Sequence, residues 1–264
     1  MKLSRSTIID IPPEVVWSEV QTARLLVHIA WPLMRFVPVG DEPLEHFKPG
    51  GRYLVKLRLM GILPFGKQWI VTTVHEPDTG EWPKRLRDNG YSALIAKWDH
   101  CVTIAPDAGG GTRYSDDVEI SAGIMTPFIW AFAQVFYKHR QRRWRGLANT
   151  LTARQLIAEE MAAFEQAKVS SDSGSAWQAL ERAHIVSQPY LGPHLASHWA
   201  MLRFAFSERD AKEVAGQIFR LALAPLGAVS GRIPIGNTGR ANVSAFQPME
   251  VPHDLRSKLR GEPK

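Results

Sequence analysis

Three of the chain's nine histidines fall within fifteen positions, in the stretch ERAHIVSQPYLGPHLASHW from Glu181 to Trp199. His194 and His198 stand four apart, so on a helix both reach one point on the same face. Glu181 and His184 stand three apart and share a face of the preceding helical segment. Together they offer four N/O ligands on two helices, a set suited to a divalent transition metal such as zinc, copper or iron. The same residues have a second use. Buried His and Glu satisfy backbone groups, and here they would tie the irregular GNTG segment, with Asn237 and Thr238 as partners, to the helices. The tail is the expected partner and the metal is the alternative, because the chain carries neither CxxC nor HExxH.

A second constellation lies in two strand-like segments. In KWDHCVTI the alternating set Trp98, His100, Val102 and Ile104 shares one face; in TRYSDDVEI the set is Thr112, Tyr114, Asp116, Val118 and Ile120. If both faces turn inward, His100, Tyr114 and Asp116 become polar groups in an apolar pocket. A histidine beside a carboxylate serves general acid/base work on an enolisable ketone. A one-residue slip in register would reverse the face, and a packing role for His100 is the plainer alternative. A third group, Lys138, Arg140, Arg142, Arg143 and Arg145 in KHRQRRWR, is expected around an exposed helix end, solvated and complementing the helix dipole. Neither GNTG nor GGG forms a phosphate-binding glycine motif, so nucleotide binding has no support.

These residues need elements to position them, and the chain has the length for two domains of ordinary size. At 45% hydrophobic and 22% charged it has a globular composition. The formal charge of +6 is spread evenly along the chain, which is no nucleic-acid footprint, and no nucleic-acid partner is expected. Cys101 stands alone, so no intramolecular disulfide forms. The N-terminal stretch reaches an acid and two prolines too early for a signal peptide, and a cytoplasmic location is expected. The uncharged run ISAGIMTPFIWAFAQVFY approaches a bilayer-spanning length, yet its Ser, Thr, Gly, Pro and Gln residues favour a buried helix beginning at Thr126-Pro127, and no membrane span is expected.

Along the chain, STIIDI reads as a strand stopped by Pro12-Pro13, followed by an amphipathic helix through Val20. After a Pro/Gly-rich passage come the strand candidates RYLVKLRLM, KQWIVTTVHE, RLRDN, SALIAKWDHCVTIA and TRYSDDVEISA, separated by PDTG, DNG and PDAGGG turns. Such short connections imply hairpins and an antiparallel sheet. A long helix from Thr126 is expected to close this region near Ala148. From about Thr150 the pattern is helical only: LTARQLIAEEMAAFEQAKV, AWQALERAHIVSQ, PHLASHWAMLRFAF and SERDAKEVAGQIFRLALAPLG, with a loop-rich tail wrapping back over them. The expectation is an α+β domain over residues 1–150 and a small all-α domain over 151–264.

The segments STIIDIPPEVVWSEV, WDHCVTIAPDAGGGTRYSDDVEI and TPFIWAFAQVFYKHRQRRWRGLA, in that order, resemble the START-like (SRPBCC) helix-grip superfamily, which includes polyketide cyclase/dehydrase-like proteins. The resemblance implies a curved antiparallel sheet gripping the long helix around a cavity for a hydrophobic small molecule, with or without cyclase-like turnover. Phe128, Ile129, Trp130, Phe132, Val135 and Phe136 make that helix apolar nearly all round, which predicts its burial. Trp69, Trp98, Val118, Phe128, Phe132 and Val135 are the expected cavity wall. The second half is similar to a bacterial family of unknown function with an ERAHI-SQ helix, an H…HW-ML helix and a GNTG tail, over about residues 155–255. The partner expected is a hydrophobic small molecule; the competing role is a metal-binding or protein-interaction module at the histidine cluster. The oligomeric state is left open.

Overall fold

The computed structural model describes residues 1–40, 44–77, 80–230 and 233–259. Asp78 and Thr79 of the expected PDTG turn and Gly231 and Arg232 of the tail lie outside the described residues. The chain divides into two compact units, Met1–Ala148 and a second from Asn149 onward.

In the first unit, β1 (Lys2–Ile9) leads into α1 (Pro13–Val20) and α2 (Ala23–Ala30). Six strands follow: β2 (Met34–Pro38), β3 (Arg52–Leu59), β4 (Leu63–His75), β5 (Lys84–Ser92), β6 (Lys97–Pro106) and β7 (Thr112–Ser121). They form one antiparallel sheet in the order β1-β7-β6-β5-β4-β3-β2. A 3-10 turn at Gly123–Met125 then opens α3, Thr126–Val169. The class is α+β with a helix-grip arrangement. Ile129, Ala133, Phe136 and Tyr137 of α3 share a core with Leu3, Val55, Leu57, Ile70, Val118 and Ile120 of the sheet.

The alternation expected of β6 and β7 is present. Thr112, Tyr114, Asp116, Val118 and Ile120 are all buried, and pairing sets Val102 opposite Asp116 and His100 opposite Val118. The Pro/Gly-rich passage holds two further elements, α2 and β2. The Thr22 hydroxyl caps α2 by accepting the Leu25 N–H at 3.1 Å, and β2 pairs with β3 from Met34↔Leu59 to Pro38↔Val55.

Helix α3 departs from expectation twice. It does not stop near Ala148, because no Gly or Pro occurs from Leu147 to Val169 to break it. Nor is it buried all round: Phe128 is 69% and Val135 60% exposed. The buried stripe is Ile129, Ala133, Phe136, Tyr137, Arg140 and Trp144, a helical period that continues straight through the basic segment. Arg140 and Trp144 are therefore interior residues rather than parts of a solvated helix end. Arg143 donates to the His28 carbonyl oxygen. Among the described residues, no helix is long and apolar enough to cross a membrane.

In the second unit the remainder of α3 is followed by α4 (Ser173–Ser187), α5 (Leu191–Ser207), α6 (Ala211–Ser230) and α7 (His253–Leu259). Asp172 caps α4 by accepting the Ser175 N–H at 3.0 Å. Phe164, Leu180, Met201 and Phe204 form one core cluster, and Leu156, Ile185, Val186 and Leu255 another. The irregular chain after α6 is held by buried side chains. The Gln188 amide donates to the Pro234 and Asn237 carbonyls, the Asn237 amide donates to those of Ser244 and Gln247, and Arg220 donates to those of Arg240 and Val243.

Ile120 is fully buried where the sheet meets α3. Ile120→Ala is expected to lower folding stability by about 2–5 kcal/mol, read as a shifted denaturant midpoint.

Candidate functional site

The first unit encloses a cavity of about 290 Å³ between the sheet and α3. Its wall is apolar over Leu57, Ile70, Val102, Phe132 and Phe136, and polar at Gln68, Thr72, Asp88, His100, Tyr114 and Arg140. Of the expected wall residues, Trp98 and Phe132 line it, and exposed Phe128 stands at its opening. The other three do not. Trp69 faces away because its neighbours Gln68 and Ile70 take the inward positions of β4, and the Arg52 guanidinium lies 5.4 Å from its ring centre. Val118 turns inward but is packed in the core. Val135 is on the outer side of α3.

The three catalytic candidates do converge. His100 Nε2 lies 2.8 Å from Asp116 Oδ1, and the Tyr114 hydroxyl donates to the same oxygen at 3.1 Å. Gln141, from α3, donates to Asp116 Oδ2 at 2.8 Å and to the Arg5 carbonyl at 3.0 Å. His100 and Tyr114 line the cavity, while Asp116 sits behind them with 0% exposure. Burial would push the Asp116 carboxyl up, but His100, Arg140 and Gln141 hold it below its usual range. Burial also lowers the His100 imidazole, assisted by the nearby Arg140 charge. The stable arrangement is a carboxylate accepting from a neutral imidazole. His100 Nε2 then carries the proton and Nδ1 keeps the lone pair of a base. Burial raises the Tyr114 phenol well above its ordinary value, so it remains a donor.

Beyond the expected site residues, the wall carries Gln68, Thr72 and two ionisable side chains, Asp88 and Arg140. Asp88 is the cross-strand partner of His100; it accepts the Val71 N–H at 2.9 Å, and burial pushes its carboxyl up to about 7. The alternation of β5, with Leu86 and Asp88 on one face, carried that signal. Arg140 lies over the Tyr137 ring at 4.9 Å, its Nε is buried without a hydrogen-bond partner, and among the described residues it enters no ion pair. Its signal was the helical spacing from Ile129, Ala133, Phe136 and Tyr137.

In the second unit His184, His194 and His198 are buried together. His184 Nε2 is 3.0 Å from His194 Nε2 and 3.2 Å from His198 Nε2. His184 Nδ1 lies 3.0 Å from the Asn237 carbonyl oxygen, and His198 Nδ1 lies 2.8 Å from Gln217 Oε1. The tail thus supplies a backbone oxygen, whereas the Thr238 hydroxyl is buried without a partner among the described residues. Glu181 is not part of this cluster, because Arg240 holds its carboxylate at 3.2 Å. Burial keeps all three imidazoles below their ordinary range, His198 at about 4. They border a second cavity of about 270 Å³, shared with Arg220, Leu223, Leu226 and Phe246.

The family model described as "Domain of unknown function (DUF8410)" matches residues 7–147, and "Protein of unknown function (DUF3703)" matches 151–259. No curated protein matches the chain. Similar solved structures include a protein of Chromobacterium violaceum, at 16% identity, covering 56% of this chain and 96% of that one, with a TM-score of 0.42. Another is a START superfamily protein from Mycobacterium smegmatis, at 15% identity, 57% and 98% coverage and a TM-score of 0.38. A third, from Arthrobacter aurescens, has 14% identity, 56% and 85% coverage and a TM-score of 0.42.

The raised Asp88 carboxyl has a consequence for stability. Its folded value of about 7 lies above the ordinary 3.8, so the fold favours the protonated form. That contribution is complete below about pH 4 and is lost as pH rises through 7. Melting temperatures of wild type and Asp88→Asn, compared across pH, are expected to diverge over this window in favour of the variant and to run parallel above pH 8. Parallel profiles throughout would contradict the assignment.

Proposed function

The chain belongs to the DUF8410 family, a domain of unknown function, and from the chemistry of its first unit's cavity we propose that it binds a small amphipathic molecule with an apolar body and an anionic or carbonyl head. The observation that carries this reading is Arg140, a buried guanidinium in a largely apolar wall that feels the charge of Asp116 but, among the described residues, enters no ion pair and leaves its Nε without a hydrogen-bond partner. A charge so placed is costly unless a partner neutralises it. Arginine presents a planar fork of donors that suits a carboxylate or a carbonyl oxygen. Phe132, Phe136, Leu57 and Ile70 supply the apolar contact for the ligand body.

The hydrogen-bonded pair of His100 and Asp116 supports a further step of acid/base turnover. The imidazole Nδ1 would take a proton from a carbon next to a carbonyl, and Arg140 would stabilise the enolate oxygen that forms. Binding does not depend on that step.

The test uses two probes of equal chain length, decanoate and decanol, titrated calorimetrically into the full chain. Decanoate is expected to bind more tightly than decanol. Arg140→Gln is expected to weaken decanoate by about tenfold or more, the worth of a charged hydrogen bond, while leaving decanol unchanged. Retained decanol binding shows that the variant is folded. Failure of both probes to bind wild type, or equal losses for both in the variant, would overturn the reading.

A further inference from the structure

We propose that His184, His194 and His198 form a three-nitrogen site for a divalent first-row transition ion of the zinc type, bound through their Nε2 atoms. This stands apart from the ligand reading of the first unit, and neither requires the other.

Proton placement carries the inference. The Gln217 amide nitrogen donates to Glu213 Oε1 and to the Gly239 carbonyl, both at 2.8 Å. Those two acceptors fix the orientation of the amide, so Gln217 Oε1 is the atom facing His198 Nδ1. An amide oxygen only accepts, and His198 Nδ1 must carry the hydrogen. The same holds for His184, whose Nδ1 faces the Asn237 carbonyl. Two neutral imidazoles with hydrogen on Nδ1 have bare lone pairs on Nε2. Here those lone pairs face each other at 3.2 Å. A proton on His194 Nε2 reaches His184 at 3.0 Å but leaves the opposition between His184 and His198 in place. A cation among the three nitrogens removes it.

The dimensions agree. Ligands at about 2.0–2.1 Å from a tetrahedral ion stand roughly 3.3–3.4 Å from one another. The two closest pairs here are 3.0 and 3.2 Å apart, and all three ligand atoms lie within 4.8 Å of one another. The surroundings also agree. Metal-bound histidines usually donate their second N–H to a carbonyl or carboxylate that fixes the ring, as Asn237 and Gln217 do for two of the three. The backbone keeps that packing close: a Cβ on Gly239, whose φ is +80°, would lie 2.9 Å from the His184 ring. Three imidazoles without thiolate or carboxylate favour zinc, copper, nickel or iron over magnesium and calcium. With three protein ligands the ion has coordination left for a water or a small ligand, and the cavity bordered by Arg220 and Phe246 adjoins it.

The full chain, stripped with a chelator and dialysed, is titrated with Zn²⁺ and separately with Co²⁺. One ion per chain by native mass spectrometry, a higher melting temperature with Zn²⁺, and a visible Co²⁺ absorption of low-symmetry nitrogen coordination are expected. His194→Ala is the variant of choice because its Nδ1 has no partner, so its removal leaves the bonds to Asn237 and Gln217 intact. It is expected to weaken Zn²⁺ binding by at least about 100-fold, no less than the loss of an outer-shell partner. Wild-type protein that takes up no ion from a tenfold excess of Zn²⁺ would overturn the proposal, as would unchanged affinity in a folded His194→Ala. Should that variant not fold, the wild-type stoichiometry and Co²⁺ spectrum decide alone.

Discussion

The first unit depends on the neutralisation of Asp116. A carboxylate without solvent contact, on the sheet face that meets an apolar helix, persists only if its oxygens are saturated with donors. His100 and Tyr114 reach one oxygen from β6 and β7, and Gln141 reaches the other from α3. Gln141 also donates to the Arg5 carbonyl, so one amide ties the helix to both β1 and β7. The hydrogen bonds that make the charge tolerable thereby fix how the helix sits on the sheet. They also fix which nitrogen of His100 holds its proton.

The second unit solves a related problem with different groups. Its chain after α6 has little regular structure, and backbone groups there would be orphaned on burial. Gln188, Arg220 and Asn237 satisfy them, each through more than one bond. Most buried polar groups in both units are accounted for in this way. The exceptions among the described residues include Arg140 Nε and His194 Nδ1, and both residues border cavities.

Part of this was legible in the residues. Two-residue alternation groups Tyr114 with Asp116 within β7 and His100 with Val102 within β6, whereas the pairing register that turns both sets to the same inward face is not legible in the strands themselves. The i, i+4 spacing likewise placed His194 and His198 together. Glu181 shares the helical face of His184, but spacing fixes a face and not the partner across from it, and its partner Arg240 comes from a tail without periodicity. Trp69 and Val135 have residue types that suit a cavity wall, but the alternation of β4 and the buried stripe of α3 turn them away from it. The inward position of Arg140 is hidden in the sequence for a related reason. A run of five basic residues reads as solvated only if the helix ends there, and α3 continues, so the 3.6-residue stripe carries one arginine inward. The short α2 and β2 lay in a passage whose prolines and glycines mask both periods.

The two exceptions differ in the sign of the partner proposed for each. A guanidinium cannot surrender its proton at any relevant pH, which is the ground for the anionic or strongly polar oxygen proposed as the partner of Arg140. An imidazole can shed charge, and burial makes the three histidines do so. Hydrogen bonds to Asn237 and Gln217 hold the Nδ1 hydrogens of His184 and His198 outward, so these two turn lone pairs toward each other, which is the geometry behind the proposed cation. The same physical term, desolvation, therefore produces opposite demands at the two cavities. In one it leaves a charge that cannot be removed, and in the other it leaves imidazoles neutral. Each unit has its own cavity with its own polarity, so the chemistry of one gives no guide to that of the other.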